Sequence, residues 1–111
     1  MPLTDFPRLQ PHDLDAEQAV LGAISLDPSS LPRAQELLAA SDFYDTRHRY
    51  IFNAFVELAG RGEGIDLLTI GDLLERKMEL QHIGGRGTLA EILTTIASSA
   101  SKIIGHNKSL N

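Results

Sequence analysis

Apolar positions recur at His48, Ile51, Phe52, Phe55, Leu58 and Ala59, the i, i+3, i+4, i+7 spacing of one helix face. The stretch Phe43 to Arg61 also holds three of the four phenylalanines and both tyrosines. Aromatic rings bury the most area per residue, so this stretch is predicted to be an amphipathic helix at the centre of the core. Phe43, Ile51, Phe52, Phe55 and Leu58 are its core residues, and a thinner stripe at Tyr50, Ala54 and Glu57 is expected to look the other way.

Similar stripes place the other elements. Val20, Leu21 and Ile24, widened by Ala16, Ala19 and Ala23, predict a helix from Leu14 to Leu26. Asp13 or Asp15 caps it, Glu17 adds favourable charge to its first turn, and Pro28 stops it at Asp27. A short helix from Ser29 to Leu38 tolerates Pro32 in its first turn and turns Leu31, Ala34 and Leu38 inward. A tight turn at Ser41 or Asp42 leads to Asp45, which caps the central helix. Gly60, Gly62 and Gly64 end that helix, and Ile65, Leu67 and Leu68 are expected to cross the core as an extended segment. Another helix starts at Thr69, paired with Asp72 in a capping box, and buries Ile70, Leu73 and Leu74. Gly71 weakens it by about 1 kcal/mol relative to alanine, and it frays near Lys77 or Met78. Leu80 and Ile83 lead into a turn at Gly84 to Gly87. A last helix, Thr88 to Ser98, carries Leu89, Ile92, Leu93 and Ile96 on one side.

Five or six short helices with no strand make an all-α orthogonal bundle. Residues 1–11, with Pro2, Pro7 and Pro11, read as a flexible arm, residues 12–98 as the helical domain, and residues 99–111 as the start of a further helix. Ile103 and Ile104 have little to pack on within that arrangement, which makes them candidates for a subunit contact.

Composition narrows the function. The 111 residues fit one domain, and the absence of cysteine excludes disulfides and thiolate metal sites. The net charge of −5 with scattered basic residues disfavours strong direct binding to DNA or RNA. No apolar run reaches membrane-spanning length, and no secretory leader is visible. His12, His48, His82 and His106 lack metal-ligand spacing. His48 is read as a core-edge histidine bonded to Asp45 or a backbone carbonyl. Asp13, Asp15 and Glu17 are explained by capping, as are Asp42 and Asp45. The two glycine clusters lack the lysine of a phosphate loop. With no catalytic, cofactor-binding or metal-binding residues to assign, the chain reads as a binding or assembly module. The alternative is a helix-turn-helix module with Arg47 and Arg49 on its recognition helix.

The stretches PHDLDAEQAVLGAISLDP (Pro11 to Pro28) and DFYDTRHRYIFNAFVELAGRGEGIDLLTIGDLLER (Asp42 to Arg76) resemble the N-terminal domain of bacterial replicative DNA helicases of the DnaB type. The resemblance runs on through Gly84-Gly85 to Ile96. It implies a small helical domain followed, in the family, by a helical hairpin, a linker and a RecA-like motor that uses ATP and Mg. This chain is then expected to be the globular part of the domain, not itself an enzyme. The resemblance further implies contacts with other helicase subunits as a dimer within a hexamer, with primase and with a helicase loader, in the bacterial cytoplasm. Ala97 stands where the family has proline, and Ser101 where it has asparagine.

Overall fold

The computed structural model describes residues 13–94. Helix α1 (Leu14–Leu26) starts where Asp13 Oδ1 accepts the Ala16 N–H at 3.0 Å, which selects Asp13 over Asp15 as the cap. After Pro28 the chain makes a 3₁₀ turn, Pro28–Ser30, before α2 (Leu31–Leu37). The α-helix therefore begins two residues later than predicted. Ser29 and Ser30 donate their hydroxyls back to Asp27, at 2.5 Å to its carboxylate and 2.7 Å to its carbonyl, and hold the tighter turn. A second 3₁₀ turn, Ala40–Asp42, is closed by Asp42 Oδ2 on the Ala39 N–H at 2.7 Å.

Helix α3 (Thr46–Gly60) is capped by Asp45. It ends in a Schellman motif: Gly62 N–H bonds Ala59 O and Glu63 N–H bonds Leu58 O, with Gly62 at φ 71°. Helix α4 (Leu67–Arg76) is capped three residues earlier than predicted, by Asp66, with Thr69 as its third residue. Asp66 Oδ1 accepts Thr69 N–H while Thr69 Oγ1 accepts Asp66 N–H, each at 2.9 Å. Leu67 and Leu68 thus lie in an exposed first helical turn and do not cross the core. Helix α5 (Leu80–Ile83) ends at Gly84, and helix α6 occupies residues 85–94. Gly84 (φ 109°) and Gly85 (φ 93°) reverse the chain abruptly, so the last helix begins before Thr88.

The core is built around α3, which packs on α1, α4 and α5. Val20, Leu21, Ile24, Phe43, Ile51, Phe52, Phe55, Leu58, Leu73, Leu74, Leu89, Ile92 and Leu93 are buried, and so are Leu31, Ala34, Ile70 and Ile83. Phe43 and Phe52 pack ring to ring at 5.2 Å. The thinner stripe of α3 does not face away. Ala54 is buried, Tyr50 stacks on His82 of α5 at 5.3 Å, and Glu57 pairs with Lys77 at the end of α4 at 2.8 Å. Helices on two sides of α3 widen its buried arc, while Ala59 is left exposed. The helix held in the middle therefore has a broader face than its strict periodicity marks. Ile96, Ile103, Ile104, the arm 1–11 and residues 99–111 lie outside the described residues. No described helix is long and apolar enough to cross a membrane.

Candidate functional site

Among the described residues, two polar side chains are buried with the core, Glu17 of α1 and His48 of α3. The Glu17 carboxylate accepts the backbone N–H of Tyr44 through Oε2 and that of Asp45, at 3.2 Å, through Oε1. His48 Nδ1 lies 2.6 Å from the same Oε1. A carboxylate that already accepts two N–H groups takes a third donor, so Nδ1 carries the proton and donates. Glu17 is therefore not a first-turn charge for α1 alone. It clasps the start of α3 to α1. His48 is fully buried, and its partner is Glu17 and neither Asp45 nor a carbonyl. Its Nε2 has no hydrogen-bond partner among the described residues and stands 4.0 Å from Asp45 Oδ2.

Asp45 joins the clasp to the surface. Its Oδ1 accepts Arg47 N–H at 2.8 Å, and Arg47 grips the carboxylate with Nε and Nη2, the latter at 2.7 Å. The hydrogen bond from the Arg47 side chain holds the Asp45 carboxyl below its usual range, helped by the backbone N–H and by the charges of His48 and Arg47. The same pair holds Arg47 firmly protonated. Arg49 donates Nε to Phe43 O at 2.6 Å. Both arginines of the helix-turn-helix alternative are engaged at the start of their own helix.

A Glu–His pair can orient a base, but here every donor and acceptor that is satisfied faces the protein. The residues described include no group of histidine and carboxylate side chains arranged to hold a metal ion. The glycines do not fit a nucleotide cradle either. Gly60 and Gly62 close α3, Gly64 O accepts the Thr69 hydroxyl at 2.9 Å, and no lysine follows. The Glu17–His48 pair docks α1 against the start of α3.

The surface of the described residues includes an apolar groove with a charged wall. Leu67, Leu68, Leu89 and Arg86 line a volume of about 320 Å³ between the first turn of α4 and α6. Leu67 is 40% and Leu68 66% exposed. Arg86 reaches across α4 to Asp72 at 2.8 Å and Glu75 at 2.6 Å. The hydrogen bonds to Glu75 and Asp72 raise its pKa. Its guanidinium passes over Gly71, where a Cβ would stand 2.5 Å from Nη1. Sequence reading missed this groove because it hid Leu67 and Leu68 in an extended core segment. The signal was present: Asp66 followed by Thr69 is itself a capping pair.

Known proteins place this arrangement. Residues 9–110 match the family model described as the DnaB-like helicase N-terminal domain. The chain is 44% identical over 94 residues to the replicative DNA helicase DnaB of Rhodothermus marinus, covering 85% of this chain and 10% of that protein. It is 42% identical over 94 residues to the replicative DNA helicase DnaB of Geobacillus stearothermophilus, covering 85% of this chain and 21% of that one. The chain thus spans only a small part of these relatives. The crystal structure of the N-terminal domain of DnaB helicase from Mycobacterium tuberculosis superposes with a TM-score of 0.72 at 38% identity, covering 78% of this chain and 60% of that one.

Proposed function

The chain belongs to the DnaB-like helicase N-terminal domain family, and from that membership we propose that it acts as an assembly and partner-contact domain of a hexameric replicative helicase. Its work in this reading is to hold subunits to one another and to receive primase and a helicase loader, in the bacterial cytoplasm. Duplex unwinding, ATP and Mg belong to a motor domain of the longer protein. One observation carries the reading: the family match spans almost the whole chain, while the buried Glu17 and His48 hold helices together. The helix-turn-helix alternative has little left to act with, since Arg47 and Arg49 are tied to Asp45 and Phe43.

Sedimentation velocity over a concentration series, with a pull-down against a bacterial primase, tests the proposal. Concentration-dependent self-association and retention of primase are expected, without ATP hydrolysis by this chain. Tight DNA binding by a monomer at physiological salt would replace it with the nucleic-acid reading.

A further inference from the structure

We propose that Met78, at the corner between α4 and α5, is a reversible oxidation site: a hydroperoxide converts its thioether to the sulfoxide and turns an apolar point of the surface polar while the fold stands. The inference goes beyond assembly and partner contact and does not depend on them.

Three observations meet at this residue. Met78 is 72% exposed, the most exposed of the large hydrophobic side chains among the described residues. It is also the one non-glycine residue among them with positive φ, at 59°. After α3 the same left-handed position is filled by Gly62 at φ 71°, the residue that this conformation favours. Neither packing nor backbone geometry thus calls for a thioether here, and strain at an exposed side chain points to a role outside the fold. Third, the chain has two methionines and no cysteine, so no thiol competes for a peroxide.

The corner is built to tolerate the change. The cap after α4 is made by backbone groups: Met78 N–H bonds Glu75 O at 3.0 Å and Glu79 N–H bonds Leu74 O at 2.8 Å. Lys77 holds Glu57 at 2.8 Å and stands 3.8 Å from Glu79. None of these contacts uses the Met78 sulfur. In the reaction the sulfur attacks one oxygen of the peroxide. The S–O bond forms as the O–O bond breaks. With hydrogen peroxide, the departing hydroxide takes the proton left on the transferred oxygen and leaves as water. Sulfur is oxidised and the peroxide reduced by the same electron pair. The sulfoxide follows Lys77 and precedes Glu79 in the chain, so the corner keeps its ion pairs and loses its apolar side chain.

The test treats the full chain with hydrogen peroxide. Trypsin cleavage at Lys77 and Arg86 releases residues 78–86, and cleavage at Arg8 releases residues 1–8, so each methionine is read separately by mass. Met78 should oxidise within about threefold of the rate of N-acetylmethionine amide, because susceptibility follows exposure. The urea midpoint should be the same before and after oxidation. A methionine sulfoxide reductase should return the peptide to its original mass. Met78→Leu, treated alike, isolates any effect of the other methionine. Oxidation slower than that threefold limit overturns the proposal. A midpoint that falls in the natural chain but not in Met78→Leu overturns it too, as does a sulfoxide that the reductase leaves in place in the folded protein.

Discussion

His48 Nδ1 and Glu17 Oε1 meet at 2.6 Å across 31 residues of sequence, with neither side chain exposed. The contact ties α3 to α1 at the end where α3 begins. Glu17 also holds the Tyr44 and Asp45 N–H groups, so the chain entering α3 is positioned by a side chain of another helix.

Removing Glu17 should therefore cost more than its own packing. Glu17→Ala leaves His48 and two backbone N–H groups without their acceptor, and breaking a buried pair typically costs about 3–5 kcal/mol. Glu17→Gln keeps one acceptor oxygen and is expected to lose about 1–3 kcal/mol. Replacing both partners, as Glu17→Met with His48→Leu, should not restore stability, because the Tyr44 and Asp45 N–H groups stay unsatisfied. Urea unfolding of the three variants checks the order.

Asp45 should make stability depend on acid pH. Its carboxyl is held below the usual value of 3.8 by the Arg47 side chain first. A group whose pKa is lower folded than unfolded contributes stability above the unfolded value and loses it as pH falls through the folded one. Urea midpoints should therefore drop more steeply below pH 3.8 in the natural chain than in Asp45→Asn. Equal slopes would mean that Asp45 contributes nothing to the acid limb. At neutral pH, Asp45→Ala should cost about 1 kcal/mol through the lost cap.

Gly71→Ala sets two effects against each other. The new Cβ would stand 2.5 Å from Arg86 Nη1, so the guanidinium must leave Asp72 and Glu75. Exposed ion pairs are worth about 0–1 kcal/mol, and alanine gains about 1 kcal/mol over glycine inside a helix. The arginine tip is the mobile end of a long chain, so the helix term should win. A small rise in melting temperature is expected, and a larger one when Arg86→Ala is already present.

Helices α3 and α4 end in the same motif with different residues at the left-handed position. Gly62 has φ 71° after α3, whereas Met78 has φ 59° after α4. Met78 N–H bonds Glu75 O at 3.0 Å and Glu79 N–H bonds Leu74 O at 2.8 Å. A side chain in that region costs about 1–2 kcal/mol, partly offset by the extra freedom glycine has when unfolded. Met78 is 72% exposed and has little packing to lose. Met78→Gly is expected to stabilise by about 0.5–1 kcal/mol in thermal or urea unfolding.

Periodicity and capping residues together made most of the helices legible. Leu14–Leu26 was readable because an aspartate stands before it and a proline after it. The start of α4 was misread because Asp66–Thr69 and Thr69–Asp72 both look like capping boxes. Only the pairing observed at Asp66 decides between them, and that choice carried Leu67 and Leu68 from the interior to the surface.

The clasp was half visible. Glu17 heads the stripe Val20, Leu21, Ile24, and His48 heads the stripe Ile51, Phe52, Phe55, each at i, i+3, i+4, i+7. Two polar residues at core positions of two helices are candidates to meet, but a stripe says only which face is buried, not what lies opposite. Local spacing suffices for the helices and their inward faces, because backbone propensity, capping and hydrophobic period act between residues a few places apart. The packed fold is needed to bring Glu17 to His48, to carry Arg86 across Gly71, and to leave Leu68 exposed. Those contacts depend on how helices distant in the chain cross, which no local spacing specifies.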